Sequence, residues 1–158
     1  MKSSTKILSV IAVFACLSAC EEPSDIDVID EMQVRLEKAE IGIDKTRREL
    51  FLPLIDMYAR LDTTVAREQN INEQMELVQA YLQQFETEYP NFRKQVEFTK
   101  NQLNNLKSDI ISKDIDEGKG AEYAAEEEKY VKRLENQLDY FNDRLKKQTK
   151  TVKKLLKK

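Results

Sequence analysis

Cys16 and Cys20 are the strongest nucleophiles in this 158-residue chain, and histidine is absent. A thiol without a histidine partner can accept an acyl or alkyl group, but it cannot run Cys-His chemistry, and no Ser-His-Asp triad can form. The missing imidazole also removes histidine zinc ligation and histidine pH switching. Asp114, Asp116 and Gly118 are spaced like the opening of a calcium loop. Counted from Asp114, the position that an EF-hand reserves for Gly is Lys119. Asp and Glu pairs are abundant, but the hydrophobic pattern turns them to solvent, where none is desolvated enough to serve as a general acid. No phosphate-binding loop, dinucleotide fingerprint or Gly-x-Ser-x-Gly elbow is present. These residues predict a non-enzyme with no metal and no catalytic site.

The surroundings of the thiols say more. Lys2 and Lys6 precede an apolar run from Ile7 to Leu17, eleven residues long. A helix needs about 20 residues to span a bilayer, so this run suits a signal-peptide core instead. It ends in Leu17-Ser18-Ala19-Cys20. That sequence resembles the lipobox of bacterial lipoproteins. The resemblance implies lipid transfer to Cys20, cleavage after Ala19 and acylation of the new N-terminus. Residues 1–19 are then a discarded signal peptide, and residues 20–25 a lipidated Cys with an acidic tether. Cys16 leaves with the signal and Cys20 carries lipid, so no disulfide staples the mature chain. Covalent diacylglycerol and N-acyl chains on Cys20 exceed the two signals that stable anchoring needs. The expected location is the cell envelope, with the periplasmic face of the outer membrane favoured. The inner membrane and the cell surface are the alternatives.

Residues 26–158 must then fold as the working part. The chain has three Gly, three Pro and 35% charged residues, which argues against a turn-rich β fold. Apolar residues recur at spacings of three and four. One stripe runs Ile29, Met32, Leu36, Ala39, Ile43, Thr46, Leu50, Leu54, Tyr58, Leu61, Val65. The second runs Ile71, Met75, Val78, Leu82, Phe85, Tyr89, Phe92, Val96, Thr99, Leu103, Leu106, Ile110. The third runs Ala124, Glu127, Val131, Leu134, Leu138, Phe141, Leu145, Gln148, Val152, Leu155. Such sustained heptads predict an all-α, long antiparallel coiled-coil-like three-helix bundle, with helices over about 26–68, 71–115 and 121–157. An elongated two-helix hairpin is the alternative. Ser24 with Asp27 forms a capping-box start. A loop is expected at Asp116–Gly120, where two glycines lie. It pairs Leu106 with Val131, Leu103 with Leu134 and Val96 with Phe141. A second turn is expected near Glu68–Asn72, with Asn70 or Asn72 as helix cap. It pairs Tyr58 with Leu82, Ile43 with Val96 and Leu36 with Leu103. Pro53 and Pro90 should kink or break their helices at a shared level. Phe51, Phe85, Tyr89 and Phe92 gather there, either as filling for the bend or as a partner groove.

Charge is distributed unevenly along the chain. Glu21 to Glu31 holds Glu21, Glu22, Asp25, Asp27, Asp30 and Glu31 with no base. Arg144 to Lys158 holds Arg144, Lys146, Lys147, Lys150, Lys153, Lys154, Lys157 and Lys158 with no acid. Bases at a helix end suit the helix dipole. They also form a candidate contact for an anionic partner such as peptidoglycan, lipopolysaccharide or an acidic protein. Nucleic acid is not an expected partner, because a lipobox directs the chain out of the cytoplasm.

The expected function is a membrane-anchored cell-envelope lipoprotein acting as a helical spacer or scaffold, with a protein or peptidoglycan partner. Alternatives are a pilotin-like assembly helper that binds a protein client and a surface-exposed adhesin or immunity-type lipoprotein. There is partial resemblance to the helical murein lipoproteins in the lipidated Cys20, the heptads and Lys158. In that family a terminal Lys is joined to peptidoglycan. This chain departs from it in length, in folding back on itself and in the Leu155-Leu156-Lys157-Lys158 sequence. Leftover apolar flanks at Phe98, Tyr123 and Tyr130 suit homo-oligomer formation.

Overall fold

A computed structural model describes residues 24–64 and 69–157. The described chain is helical apart from one short connection. Ser24 opens α1 (Asp25–Thr46) with a reciprocal capping box. Its hydroxyl accepts from the Asp27 N–H at 3.2 Å, and the Asp27 carboxylate accepts from the Ser24 N–H at 3.1 Å. The carboxylate is held below its ordinary pKa by these Ser24 contacts.

A single π turn, Arg47–Phe51, joins α1 to α2 (Leu52–Thr64). In it the Leu52 N–H donates to the Arg47 carbonyl, five residues back. Pro53 follows two residues after the turn. In an uninterrupted α-helix its ring would press on the carbonyl of Glu49. The wider turn relieves that pressure without breaking the rod, so the kink or break expected at Pro53 becomes one extra residue in the helix. That residue re-phases the buried stripe. Thr46 is buried, Leu50 is only half-buried, and Phe51 takes the next core position.

α3 (Gln69–Ser112) is a 44-residue helix, about 66 Å long at 1.5 Å per residue. Pro90 lies inside it without ending it. Pro90 and Glu86 are both exposed, so the carbonyl that lacks a proline N–H is open to water. The expected turn near Glu68–Asn72 falls in part on residues 65–68, outside the described ones. Asn70 and Asn72 are inside α3, so neither is its N-cap.

α4 (Glu117–Leu155) begins four residues earlier than expected. The loop at Asp116–Gly120 is therefore corrected to Lys113–Asp116, and Gly118 and Gly120 belong to the first turns of α4. α3 stops in a Schellman motif. Asp114 N–H donates to the Asp109 carbonyl at 3.0 Å, and Lys113 N–H donates to the Ile110 carbonyl at 3.2 Å. The residue in the left-handed conformation is Lys113, at φ 61°, where a glycine is usual.

Moving the loop moves the register of α3 against α4. The Phe85 ring meets the Phe141 ring at 5.3 Å, and Arg144 lies over Tyr81 at 5.2 Å. A Cβ built on Gly120 would approach the Ile110 side chain at 3.3 Å. In the expected register Phe141 faced Val96, eleven residues along α3 from Phe85, or about 16 Å away. The Gly120–Ile110 approach puts residue 120 where the expected register put Glu127, a slip of about one heptad that returns core positions to core positions, and the long Phe85 and Phe141 side chains reach along the rod to meet.

α1 is antiparallel to α3 and parallel to α4, and α2 packs on both α3 and α4. This is the three-helix bundle rather than the two-helix hairpin. The α1–α3 register lies within about a turn of expectation: Glu40 meets Lys100, Gln33 meets Asn104 and Tyr58 meets Gln79. One continuous core runs through the rod, from Ile29, Met32 and Leu36 through Phe51, Phe85 and Phe92 to Val152 and Leu155. Thr46, Thr99 and Gln148 are its buried polar members among the described residues. Thr46 is satisfied by the Gly42 carbonyl at 2.8 Å and Asn142 Oδ1 at 2.7 Å.

Candidate functional site

The two seams that α1 makes are laced by charge. Arg35 donates to both carboxylate oxygens of Glu128 at 2.8 Å and to Glu135 at 2.6 and 2.8 Å. These bonds raise the Arg35 pKa, and Arg35 holds Glu135 below the ordinary Glu range. On the other flank Lys100 donates to Glu40 at 2.7 Å, Arg93 reaches Glu40 and Asp44, and Lys107 bonds Asp30. Lys100, first among several contacts, lowers the Glu40 pKa. Among the described residues no ion pair crosses between α3 and α4.

The aromatic level holds together as a packed layer. Phe51 and Phe85 rings lie 4.7 Å apart, and Phe85 contacts Tyr89 at 5.9 Å. Phe51, Phe85 and Phe92 are 3%, 1% and 0% exposed. They fill the bundle beside the π turn as core, so these three rings do not line an open partner groove. Tyr89 is half-buried; its hydroxyl donates to Asp44 at 2.7 Å and Arg47 stacks on its ring at 5.2 Å.

The basic run does not project as a free tail. α4 continues to Leu155 with Leu145, Gln148, Val152 and Leu155 buried. At 100° per residue, Lys146, Lys147, Lys150, Lys153, Lys154 and Lys157 occupy a single arc opposite that buried face, and all six are exposed. From Lys146 to Lys157 the stripe is about 16 Å long. None of the six forms an ion pair among the described residues. Arg144 is apart from the stripe: it is half-buried, and its guanidinium lies 5.2 Å from the Tyr81 and Tyr140 rings. Cys20 and Lys158 lie outside the described residues.

The open flank between α3 and α4 carries a groove of about 630 Å³. Its floor is Thr99 and Leu134, and its rims are Phe98 and Tyr130, 64% and 50% exposed. Arg133 stacks on Tyr130 at 5.4 Å. A second hollow continues the groove past Gln102 and Asn105 to Tyr123, Glu126 and Asp109. Glu127 lines both; burial pushes its pKa up, and neighbouring Glu126 adds to the shift. Phe98, Tyr123 and Tyr130 were visible in sequence as apolar residues off the stripes, but the groove they share was not, because it depends on the α3–α4 register.

Neither a known protein family, nor a curated protein, nor a solved structure matches this chain. Among the described residues no helix is long and apolar enough to cross a membrane, and no three potential ligands gather to hold a metal. Asp114 instead accepts from Ser112 Oγ at 2.5 Å in the loop.

Proposed function

We propose that this chain is a lipid-anchored cell-envelope rod that carries a cationic contact surface away from its membrane. The carrying observation is axial separation. The start of α1 at Asp25 lies beside the start of α4, since a Cβ on Gly120 would approach Asp25 Oδ2 at 2.9 Å. The lysine stripe begins 29 residues further along α4, or about 44 Å. Lipid on Cys20, four residues before Ser24, would hold the acidic end against the membrane. Screening confines headgroup attraction to about 8 Å, so the stripe would address something other than the anchoring leaflet. Peptidoglycan, an anionic polymer, fits a linear array of lysines in a run, residues 144–158, that holds no acid of its own. The bundle serves as a spacer with a contact tip, and no step of chemistry is assigned to it.

Two measurements test the reading. Metabolic labelling with a fatty acid should mark the chain, and Cys20→Ala should abolish the label and free the protein from membranes. Label that persists in Cys20→Ala removes the anchor. The unlipidated mature chain should sediment with purified sacculi and be released as salt rises. Replacing Lys146, Lys150, Lys153 and Lys157 by Glu should abolish that sedimentation; unchanged sedimentation removes the contact surface.

A further inference from the structure

We infer that the α3–α4 groove is a docking site for one amphipathic helix of a partner protein, held with its N-terminus toward Asp109 and its C-terminus toward Lys94. The inference rests on the bundle alone and stands apart from lipidation and from the lysine stripe.

Geometry comes first. Two antiparallel helices side by side leave a helix-wide furrow on each face. α1 fills one furrow and locks it with ion pairs on both flanks. The opposite furrow is open, and no ion pair spans it among the described residues. Its length from Lys94 to Asp109 is about 22 Å, four turns of helix. Filling it would complete a four-helix arrangement.

The rim chemistry differs from an ordinary solvated face. Phe98, Tyr130 and Tyr123 are 64%, 50% and 44% exposed. The Arg133 guanidinium lies over the Tyr130 ring. Aromatics and Arg are the residues that dominate binding energy at protein interfaces. Between them the lining is mostly neutral: Gln95, Thr99, Gln102 and Asn105.

Charge sets the direction of the occupant. Lys94 and Arg133 lie at one end of the furrow, and Asp109, Glu126 and Glu127 at the other. A helix has a partial positive charge at its N-terminus and a partial negative charge at its C-terminus. It is therefore favoured running antiparallel to α3. Basic residues in its first turns and acidic residues in its last would add to that preference. A base near Glu127 would also compensate a carboxylate that burial disfavours and that has no cationic partner among the described residues.

The test uses the whole mature chain and a stapled helical peptide of about 18 residues, four to five turns. The peptide carries Leu at three- and four-residue spacing, Lys in its first two turns and Glu in its last two. A second peptide has the Lys and Glu blocks exchanged. Titration calorimetry should give binding of the first peptide and at least tenfold weaker binding of the second. Phe98→Ala and Tyr130→Ala should each weaken the first peptide tenfold or more, with melting temperatures unchanged because both side chains are exposed. Leu77→Ala, exposed on α3 outside the furrow, should leave binding intact. No binding, equal binding of both peptides, or equal loss in Leu77→Ala would overturn the proposal. So would sedimentation showing a dimer of the free chain that Phe98→Ala dissolves, because the furrow would then belong to a second copy.

Discussion

Gly42 and Leu138 meet across the α1–α4 seam: a Cβ at position 42 would lie 2.6 Å from Leu138 Cδ2. Glycine in a helix interior costs about 1 kcal/mol relative to alanine. Here it gives the Leu138 side chain a place to rest against the α1 backbone. Gly42→Ala gains helix propensity and must displace Leu138. The two effects are expected to cancel to within about 1 kcal/mol in the parent chain. In a Leu138→Ala background the clash is gone, and Gly42→Ala should stabilise by about 1 kcal/mol. A double-mutant cycle by urea denaturation checks this, and absence of coupling would refute the contact.

Arg35 clamps Glu128 and Glu135, and these carboxylates are partly exposed, so the clamp is worth about 1 kcal/mol. Arg35→Met should lose that much at neutral pH. The folded pKa of Glu135 is depressed, so its stabilisation is present above the ordinary Glu range and lost as pH falls through the folded value. The parent and Arg35→Met chains should therefore converge in stability under acid conditions.

Glu127 has the opposite sign. Its folded pKa is raised by burial, so its favourable contribution exists below the ordinary Glu range and disappears as pH rises through the folded value. Glu127→Gln should raise the melting temperature at pH 7 and lose that advantage under acid conditions. A melting temperature that falls at pH 7 would show that the carboxylate has a stabilising partner.

The π turn at Arg47–Phe51 holds one residue more than an α-helix needs. Deleting exposed Arg48 brings Phe51 to four residues after Thr46 and keeps the downstream core in phase. Proline would then sit in an α-helix at a cost of about 3 kcal/mol, so the deletion is paired with Pro53→Ala. That double variant should keep its helical circular dichroism and melt cooperatively. Deleting exposed Lys38, where α1 has no spare residue, rotates Ala39, Ile43 and Thr46 off the core and should abolish cooperative melting.

Lys113 adopts a left-handed conformation that costs a non-glycine residue about 1–2 kcal/mol. Lys113→Gly should stabilise the chain by about 1 kcal/mol, less the greater entropy of glycine in the unfolded state. Lys113→Val, β-branched at positive φ, should destabilise it. Thermal melts of the two variants should move in opposite directions.

Heptad spacing and the Ser24–Asp27 pair by themselves determined that residues from Asp25 onward form long helices, where the first one starts and which faces are buried. The physical reason is local: capping bonds act over three residues, and the 3.6-residue turn maps sequence spacing directly onto a face. Even Thr46, Thr99 and Gln148, polar residues on the stripes, are buried where spacing put them. The same periodicity could not choose the α3–α4 register, because sliding one helix by seven residues restores every core position. Only chain closure through Lys113–Asp116 decided it, and that closure uses a lysine where composition points to the nearby glycines. The π turn is not legible in the heptads because Leu50 and Phe51 are both apolar and only packing beside Pro53 selects between them. The lysine stripe was legible as composition, whereas its outward arc required α4 to stay packed through Leu155. The open furrow was settled last, since a stripe marks that a face is buried but not which neighbour buries it.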